Sequence, residues 1–223
     1  MGSETTLVYY TANLISDKFA KSVRDHLYKI ANGRPIVSVS HVSIDFGENI
    51  CVGRIRPCAY NIYKQILTGA YNCNTKYMAC CEDDSLYNMD HFYHTPLDDE
   101  FIYNTNRWNV DVSGVYYFRE RAGMCMCIAP VDLVIKTLET RFEKYPVELT
   151  REQSKGFGEP GRYEEFLGLP PVKMRVFKTS VPTLTFNHRP SLGGKRQILP
   201  KDTVQESIPY WGSAKHIWEE YYG

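Results

Sequence analysis

Residues 5–42 decide the fold, and they read TTLVYYTANLISDKFAKSVRDHLYKIANGRPIVSVSHV. Residues 5–12 are mostly apolar, aromatic or β-branched, which predicts a buried strand. Residues 16–31 carry apolar side chains at helical spacing behind Ser16, a favourable N-cap, and they predict a helix. Residues 36–42 alternate and predict a second strand. A strand, a helix and a strand within about forty residues indicate a right-handed crossover between parallel neighbours.

The alternation of helices and strands continues after this unit. A loop over residues 43–58, which contains Arg54 and Arg56, precedes a predicted helix at 59–71. Residues 75–81, TKYMACC, then predict a third strand. This order is typical of an α/β protein with an open sheet, in which ligands bind beyond the carboxyl ends of the strands.

The second half of the chain is less regular and carries many turn residues and aromatic side chains. The further strands that we predict are at 115–118, 124–129, 175–179 and 183–188, and the further helices are at 130–145 and 164–169. Pro130 suits the first turn of its helix.

Composition narrows the classes of protein that the chain can belong to. The 223 residues include 26 basic and 26 acidic side chains, so no net charge favours nucleic acid or anionic lipid. No apolar stretch is long enough to predict a membrane span, and the N-terminus lacks the pattern of a signal peptide. The seven cysteines are odd in number and lack paired C-x-x-C motifs, which favours free thiols in a reducing compartment over a zinc site.

Three consecutive acids follow the third predicted strand in the segment YMACCEDDSLY, residues 77–87. Strand pairing would place Glu82, Asp83 and Asp84 at the carboxyl edge of the sheet, beside the end of the first strand. Carboxylates packed there repel one another unless a cation lies among them. Hard divalent ions bind carboxylate oxygens and keep positions for substrate phosphates. A site for a metal-bridged diphosphate and a solvated acidic turn are the two interpretations of this segment.

The order of these elements resembles the nucleotide-sugar-binding half of GT-A glycosyltransferases, especially the family 2 type. The resemblance covers residues 5–197 and implies a single GT-A domain over 1–223 with a mixed central sheet. It implies a nucleotide-sugar-binding half at 5–90, an acceptor and catalytic half at 91–197 and a C-terminal extension at 198–223.

The resemblance also assigns roles to the acids. The last acid of the family's motif binds Mn²⁺ or Mg²⁺ on the donor diphosphate, which implies Asp84 as a metal ligand. Glu82 and Asp83 would contact the donor, with glutamate rather than aspartate in the leading position. The family often supplies a late histidine to the metal, and His188 in TLTFNHRP matches it, although a structural histidine near a turn is the alternative.

The remaining donor contacts follow from the same resemblance. Thr11 and Asn13 would meet the base or ribose, although strand-end capping explains them too. Arg56 would reach the phosphates or cover the surface. Lys195 and Arg196, in GGKR, would neutralise the leaving diphosphate or form a solvated turn. They are not part of a Walker A motif, which requires Ser or Thr where Arg196 stands.

An inverting enzyme of this family needs a general base, and GFGEPGRYEEF is the matching region. The spacing to the late histidine favours Glu165, whereas the glycine pattern favours Glu159. A helix cap or a solvated helix face is the alternative for either acid. A retaining enzyme would need no such base.

The donor implied is a nucleotide diphosphate sugar, with uridine as the expected base. The chain is also similar to small bacterial and phage enzymes, including those that glycosylate hydroxymethylated pyrimidines in DNA, which implies a cytoplasmic location. For a DNA acceptor, a groove would use the residues Arg107, Trp108, Arg119 and Arg121. Tyr103 and Trp108 would be stacking rings, although packing in the core is the favoured explanation for each ring. The neutral total charge argues against DNA, and a surface glycan is the rival acceptor.

Two other classes of protein compete with a glycosyltransferase. A nucleotidyltransferase also uses acids at strand ends, but it requires a basic glycine-rich loop after the first strand, which TANLISDKF lacks. A non-catalytic module that binds sugar or nucleic acid would show no metal-dependent hydrolysis of a donor.

Overall fold

A computed structural model describes residues 4–147, 157–188 and 204–222 of the chain. The strands in these residues are β1 (Thr5–Thr11), β2 (Ile36–Ser40), β3 (Glu48–Cys51), β4 (Tyr77–Glu82), β5 (Ser85–Leu86), β6 (Glu100–Asn104), β7 (Arg107–Asp111), β8 (Val115–Phe118), β9 (Cys127–Pro130), β10 (Lys173–Phe177), β11 (Thr183–Asn187), β12 (Val204–Gln205), β13 (Ser207–Ile208) and β14 (Gly212–Ser213). The α-helices are α1 (Asp17–Ala31), α2 (Ala59–Tyr71), α3 (Val131–Lys144) and α4 (Ala214–Tyr222).

The central layer of the described structure is a sheet of seven strands in the order β10-β6-β9-β4-β1-β2-β3. β1 pairs in parallel with β2 on one side and with β4 on the other. β9 runs antiparallel to both β4 and β6, so the sheet is mixed. The predicted α/β fold with a mixed central sheet is therefore confirmed.

The first β-α-β unit forms as its sequence pattern predicts. Every residue of β1 is buried, as expected of a parallel strand that is covered on both faces. Ser16 caps α1, because its side-chain oxygen accepts a hydrogen bond from the backbone N–H of Phe19 at 3.3 Å. Asn32 ends the helix in the left-handed conformation with a φ of 51°.

α2 approaches the sheet closely at Gly69. A Cβ atom at this position would lie 2.3 Å from Cγ1 of Val8 in β1. We expect Gly69→Ala to destabilise the protein, because overpacking costs about 1–3 kcal/mol and outweighs the roughly 1 kcal/mol that alanine gains in a helix. Urea unfolding measures the change, with Lys64→Ala on the exposed face of α2 as the control. A Gly69→Ala variant at least as stable as the wild type would contradict the close packing.

A smaller sheet packs beside the central one. In the described residues it has five strands in the order β12-β8-β7-β11-β5. It joins the acidic segment directly, since the backbone N–H of Phe186 in β11 donates to the carbonyl oxygen of Asp84 at 2.8 Å. α4 completes this side of the molecule, where Ile217 and Trp218 belong to the same apolar cluster as Phe19 and Phe186.

The sequence missed or misplaced several elements. The predicted loop over 43–58 contains β3, which pairs in parallel with β2. β6 and β7 were not predicted. Residues 124–126 form a 3₁₀ turn instead of a strand, and the predicted helix at 164–169 is replaced by turns over 164–168.

None of the helices in the described residues is long and apolar enough to cross a membrane. The division of the chain at residues 90 and 197 stays a prediction.

Candidate active site

A cavity of about 420 Å³ opens at the carboxyl ends of β1 and β4. Its volume lies within the range of about 300–1,000 Å³ that is usual for sites of small ligands. The chemically reactive or polar lining residues include Thr11, His41, Glu82, Asp83, Asp84, Arg107, Asn109, Arg119, Arg121, Glu159 and His188. The cavity therefore joins residues from both sheets and from the segment after residue 156.

Strand register places the three acids beside the end of β1, because Tyr10 pairs with Glu82. The Tyr10 hydroxyl donates to Oε1 of Glu82 at 3.0 Å, and the Thr11 hydroxyl donates to Oδ2 of Asp83 at 2.5 Å. Burial, followed by the charge of Asp84, raises the pKa of Glu82 to about 8 and that of Asp83 to about 7. The positive charge nearby does not offset the burial of these carboxylates and their mutual repulsion. A bound cation would offset both.

The raised pKa of Glu82 makes stability depend on pH. Its ordinary value is 4.5, so between about pH 4.5 and 8 the folded protein holds a proton that the unfolded chain has lost. The stability that this proton confers is lost as pH rises through that window. We expect Glu82→Gln to gain stability relative to the wild type as pH rises from 5 to 8.5 in a chelating buffer. Thermal melts measure the difference, and a difference that is constant with pH would contradict the shift.

Asp84 and His188, the two predicted metal ligands, lie in contact. Nε2 of His188 is 3.1 Å from Oδ2 of Asp84, and both side chains are buried. The Ser85 hydroxyl donates to the other oxygen of Asp84 at 3.3 Å. β5 and β11 are paired here, which brings together two residues 104 positions apart in sequence.

The described residues contain no group of three or more His, Cys, Asp or Glu side chains that could hold a metal ion. Mg²⁺ sites of phosphate-binding enzymes commonly use one or two carboxylates and take the remaining ligands from phosphates and water. Asp84 and His188 would supply two ligands, so an ion held there would take its remaining ligands from a bound phosphate and water.

Three arginines, Arg107, Arg119 and Arg121, also line the cavity. Alternation along β7 turns Arg107 and Asn109 to the cavity and Trp108 to the other face of the strand. Trp108 packs there against Phe118, with ring centroids 5.3 Å apart. The ring of Trp108 is half-buried and is not among the residues that line the cavity, which agrees with the packing alternative and not with a stacking role.

Tyr103 also has a structural position instead of the predicted stacking role. Its ring is fully buried, and its hydroxyl donates to the carbonyl oxygen of Pro160 at 2.9 Å. This bond fixes the segment that carries Glu159.

Of the two candidate bases, Glu159 lines the cavity and Glu165 does not. Glu159 is buried, with Oε2 at 3.1 Å from Nη1 of Arg162 and Oε1 at 3.7 Å from Nη2 of Arg121. Glu165 is exposed, so its position does not fit a base that acts inside the cavity. Glu164 is buried in an ion pair with Arg141 and has a structural role.

Arg141 is the residue that supports this segment from α3. Its side chain is fully buried, and Nη1 donates to the carbonyl oxygen of Gly158 at 2.6 Å. The guanidinium carbon lies 5.7 Å from the ring centroid of Tyr63 and 5.5 Å from that of Phe157. The sequence carried one signal for it: a basic residue on the helix face that otherwise presents Val134 and Leu138.

Only some of the other residues predicted to contact the donor line the cavity. Thr11 lines the cavity, whereas Asn13 and Arg56 are not among the lining residues. Asn13 adopts a φ of 54°, and its side-chain oxygen accepts from the N–H of Val42 at 2.9 Å, which gives it a structural role in the turn. Arg56 is exposed. Lys195 and Arg196 lie outside the described residues.

Sequence reasoning missed His41, which follows β2 and lines the cavity. The residue is buried, and within the described structure its Nε2 atom has no hydrogen-bond partner. Burial, and then the charge of Arg54, lowers the pKa of this histidine, so the neutral ring is favoured. A histidine directly after a buried strand was the available signal.

Comparison with known proteins gives no match to a family model and no match among curated proteins. Among solved structures, the chain is similar to a glycosyltransferase involved in glycosylation of the major capsid of PBCV-1, with a TM-score of 0.50, 7% identity, and coverage of 82% of this chain and 92% of that one.

Two further structures are less similar. The bifunctional IspDF from Campylobacter jejuni gives a TM-score of 0.47 and 12% identity over 80% of this chain, which spans about half (50%) of that protein. S. aureus TarS 1-349 in complex with UDP-GlcNAc gives 0.47 and 9% identity over 90% of this chain and 63% of that one. The likeness to the PBCV-1 protein shows that this chain shares its fold, which is the GT-A fold.

Proposed function

We propose that the chain is a glycosyltransferase that moves a sugar from a nucleoside diphosphate sugar to an acceptor hydroxyl, with uridine as the base. The observation that carries this proposal is that one cavity at the strand ends holds an acidic cluster, a buried arginine and a carboxylate, Glu159, from a separate segment. The fold of the PBCV-1 enzyme supports it.

We further propose Mn²⁺ or Mg²⁺ as the cofactor, held by Asp84 with His188. Such an ion supplies Lewis-acid stabilisation of the negative charge on the leaving diphosphate. The contact between Asp84 and His188 supports this ligand set, as does the shortage of positive charge around Glu82 and Asp83.

The chain's own residues perform the remaining tasks. Thr11 holds Asp83 through its hydroxyl, and His41, which lines the cavity, has a buried ring nitrogen without a partner among the described residues. If the reaction inverts configuration, Glu159 takes the proton of the acceptor hydroxyl. Arg121 and Arg162 orient the Glu159 carboxylate.

For the acceptor we favour a glycan hydroxyl over DNA. Tyr103 is buried in the core, and the half-buried Trp108 packs against Phe118 outside the cavity, so the proposed groove loses its stacking rings. The chain also has no net positive charge to attract a nucleic acid.

A donor screen tests the proposed function. Purified protein is incubated with UDP-, GDP-, dTDP- and CMP-sugars and Mn²⁺, and nucleotide release is measured with and without a chelator. We expect metal-dependent release of UDP from one donor, with stimulation by oligosaccharides and not by hydroxymethylated DNA. Pyrophosphate release from nucleoside triphosphates would favour a nucleotidyltransferase, and no release from any donor would favour a binding module.

A further inference from the structure

We propose that Arg107 and Arg119 form a binding site for a phosphoryl group inside the cavity. The proposal rests on the proposed function, because it identifies a second part of the same site. It differs from the expectation that Lys195 and Arg196 supply the positive charge for the diphosphate.

Among the described residues, Arg107 is a buried cation without a carboxylate partner. Its residue is 8% exposed, yet it forms no ion pair within 4.0 Å in the described part of the chain. Nη1 donates to Sγ of Cys125 at 3.4 Å, which is a weak acceptor, and Nε has no partner among the described residues. A buried guanidinium is costly unless its donors are satisfied. An anion in the cavity would supply the missing acceptors.

Arg119 brings a second positive charge to the same wall. Its backbone N–H donates to the carbonyl oxygen of Arg107 at 3.0 Å, and both residues line the cavity. Burial, and then the charge of Arg107, lowers the pKa of Arg119. Like charges at this position repel each other until an anion lies between them.

The Arg107 side chain is held in place by its surroundings. A Cβ atom at Gly123 would lie 2.7 Å from Nη1 of Arg107, so the backbone packs directly against the guanidinium. Cys125 contacts the same nitrogen. The guanidinium is therefore positioned before any ligand binds, which lowers the entropic cost of binding.

The charge pattern of the cavity selects a phosphoryl group. The charges of Glu82 and Asp84 favour the charged form of Arg107, although neither acid lies within ion-pair distance of the guanidinium. A phosphate with a bound divalent cation would match both groups of residues. Its oxygens would contact the two arginines, and the cation would contact the acids. The planar guanidinium matches phosphate oxygens in a bidentate arrangement. This group is either the donor diphosphate or a phosphate on the acceptor.

Calorimetric titration with Mg²⁺ tests the site. We expect Arg107→Gln and Arg119→Gln to weaken binding of UDP by about tenfold to a hundredfold and to leave binding of uridine unchanged. Arg175→Gln serves as the control, since Arg175 pairs with Glu100 outside the cavity. Arg119 is half-buried, so its variant provides the test if Arg107→Gln does not fold.

Competition identifies the source of the phosphoryl group. If pyrophosphate displaces UDP from the wild type, and does so less effectively in the two arginine variants, the site holds the diphosphate of the donor. Binding of inorganic phosphate to protein saturated with UDP, and its loss in both variants, assigns the site to the acceptor.

Variants that bind UDP, pyrophosphate and phosphate as the wild type does would overturn the proposal. If the wild type binds pyrophosphate through these arginines but binds no nucleotide, the proposed function fails and the phosphoryl site stands.

Discussion

Asp84→Asn is expected to lower kcat/KM for release of UDP from a UDP-sugar by at least about a hundredfold, because a Lewis acid supplies several kcal/mol and each 1.4 kcal/mol is about tenfold. Asparagine keeps the size of the side chain but removes the charge that would hold the cation. The contact with Nε2 of His188 at 3.1 Å places this carboxylate where the metal is proposed.

The control for this variant is Asp45→Asn, because Asp45 is exposed and does not line the cavity. It should retain the activity of the wild type. Titration with uridine should give equal affinity for wild type and Asp84→Asn, which shows that the cavity is intact. An Asp84→Asn enzyme that turns over at the wild-type rate, with unchanged metal dependence, would remove Asp84 from the metal site.

Glu159→Gln is expected to lower kcat by about 10²- to 10⁴-fold, which is the usual contribution of a general base. Binding of UDP should change little, because Glu159 lies on the segment after residue 156 and not beside the acids of β4.

Glu165→Gln provides a matched comparison, since both residues belong to the same segment and Glu165 is exposed. Its kcat should equal that of the wild type. A large loss in Glu165→Gln with normal activity in Glu159→Gln would reverse the assignment. Equal activity of both variants would point to a reaction that retains configuration and needs no such base.

Local patterns in the sequence predicted the elements that build the nucleotide half of the fold. β1, α1 and α2 are long or strongly periodic, and Ser16 caps α1 as expected. β3 was missed because Glu48–Cys51 is partly exposed at the edge of the sheet and has no apolar alternation. Two strands of the five-stranded sheet, β8 and β11, were predicted, but their assembly into one sheet was not, because two-residue strands such as β5 depend on partners that are distant in sequence.

The acidic part of the site could be predicted, because the order of the strands is enough to determine its position. Glu82 to Asp84 follow a buried strand, so parallel pairing with β1 was enough to place them. Arg107 and Trp108 show the opposite case, because the face that each presents depends on how β7 packs between its neighbours. Arg141 lay beyond local reasoning, since its partners Gly158 and Glu164 are 17 and 23 residues away in sequence.

The central claim is that the acidic end of β4 binds a divalent ion together with the diphosphate of a nucleotide sugar. A crystal structure with Mn²⁺ and a non-hydrolysable UDP-sugar, with anomalous scattering recorded at the manganese edge, tests it most directly. We expect an anomalous peak within coordination distance of the Asp84 carboxylate and beside the bound diphosphate. Nucleotide bound in the cavity without such a peak, or a peak at another place on the molecule, would contradict it.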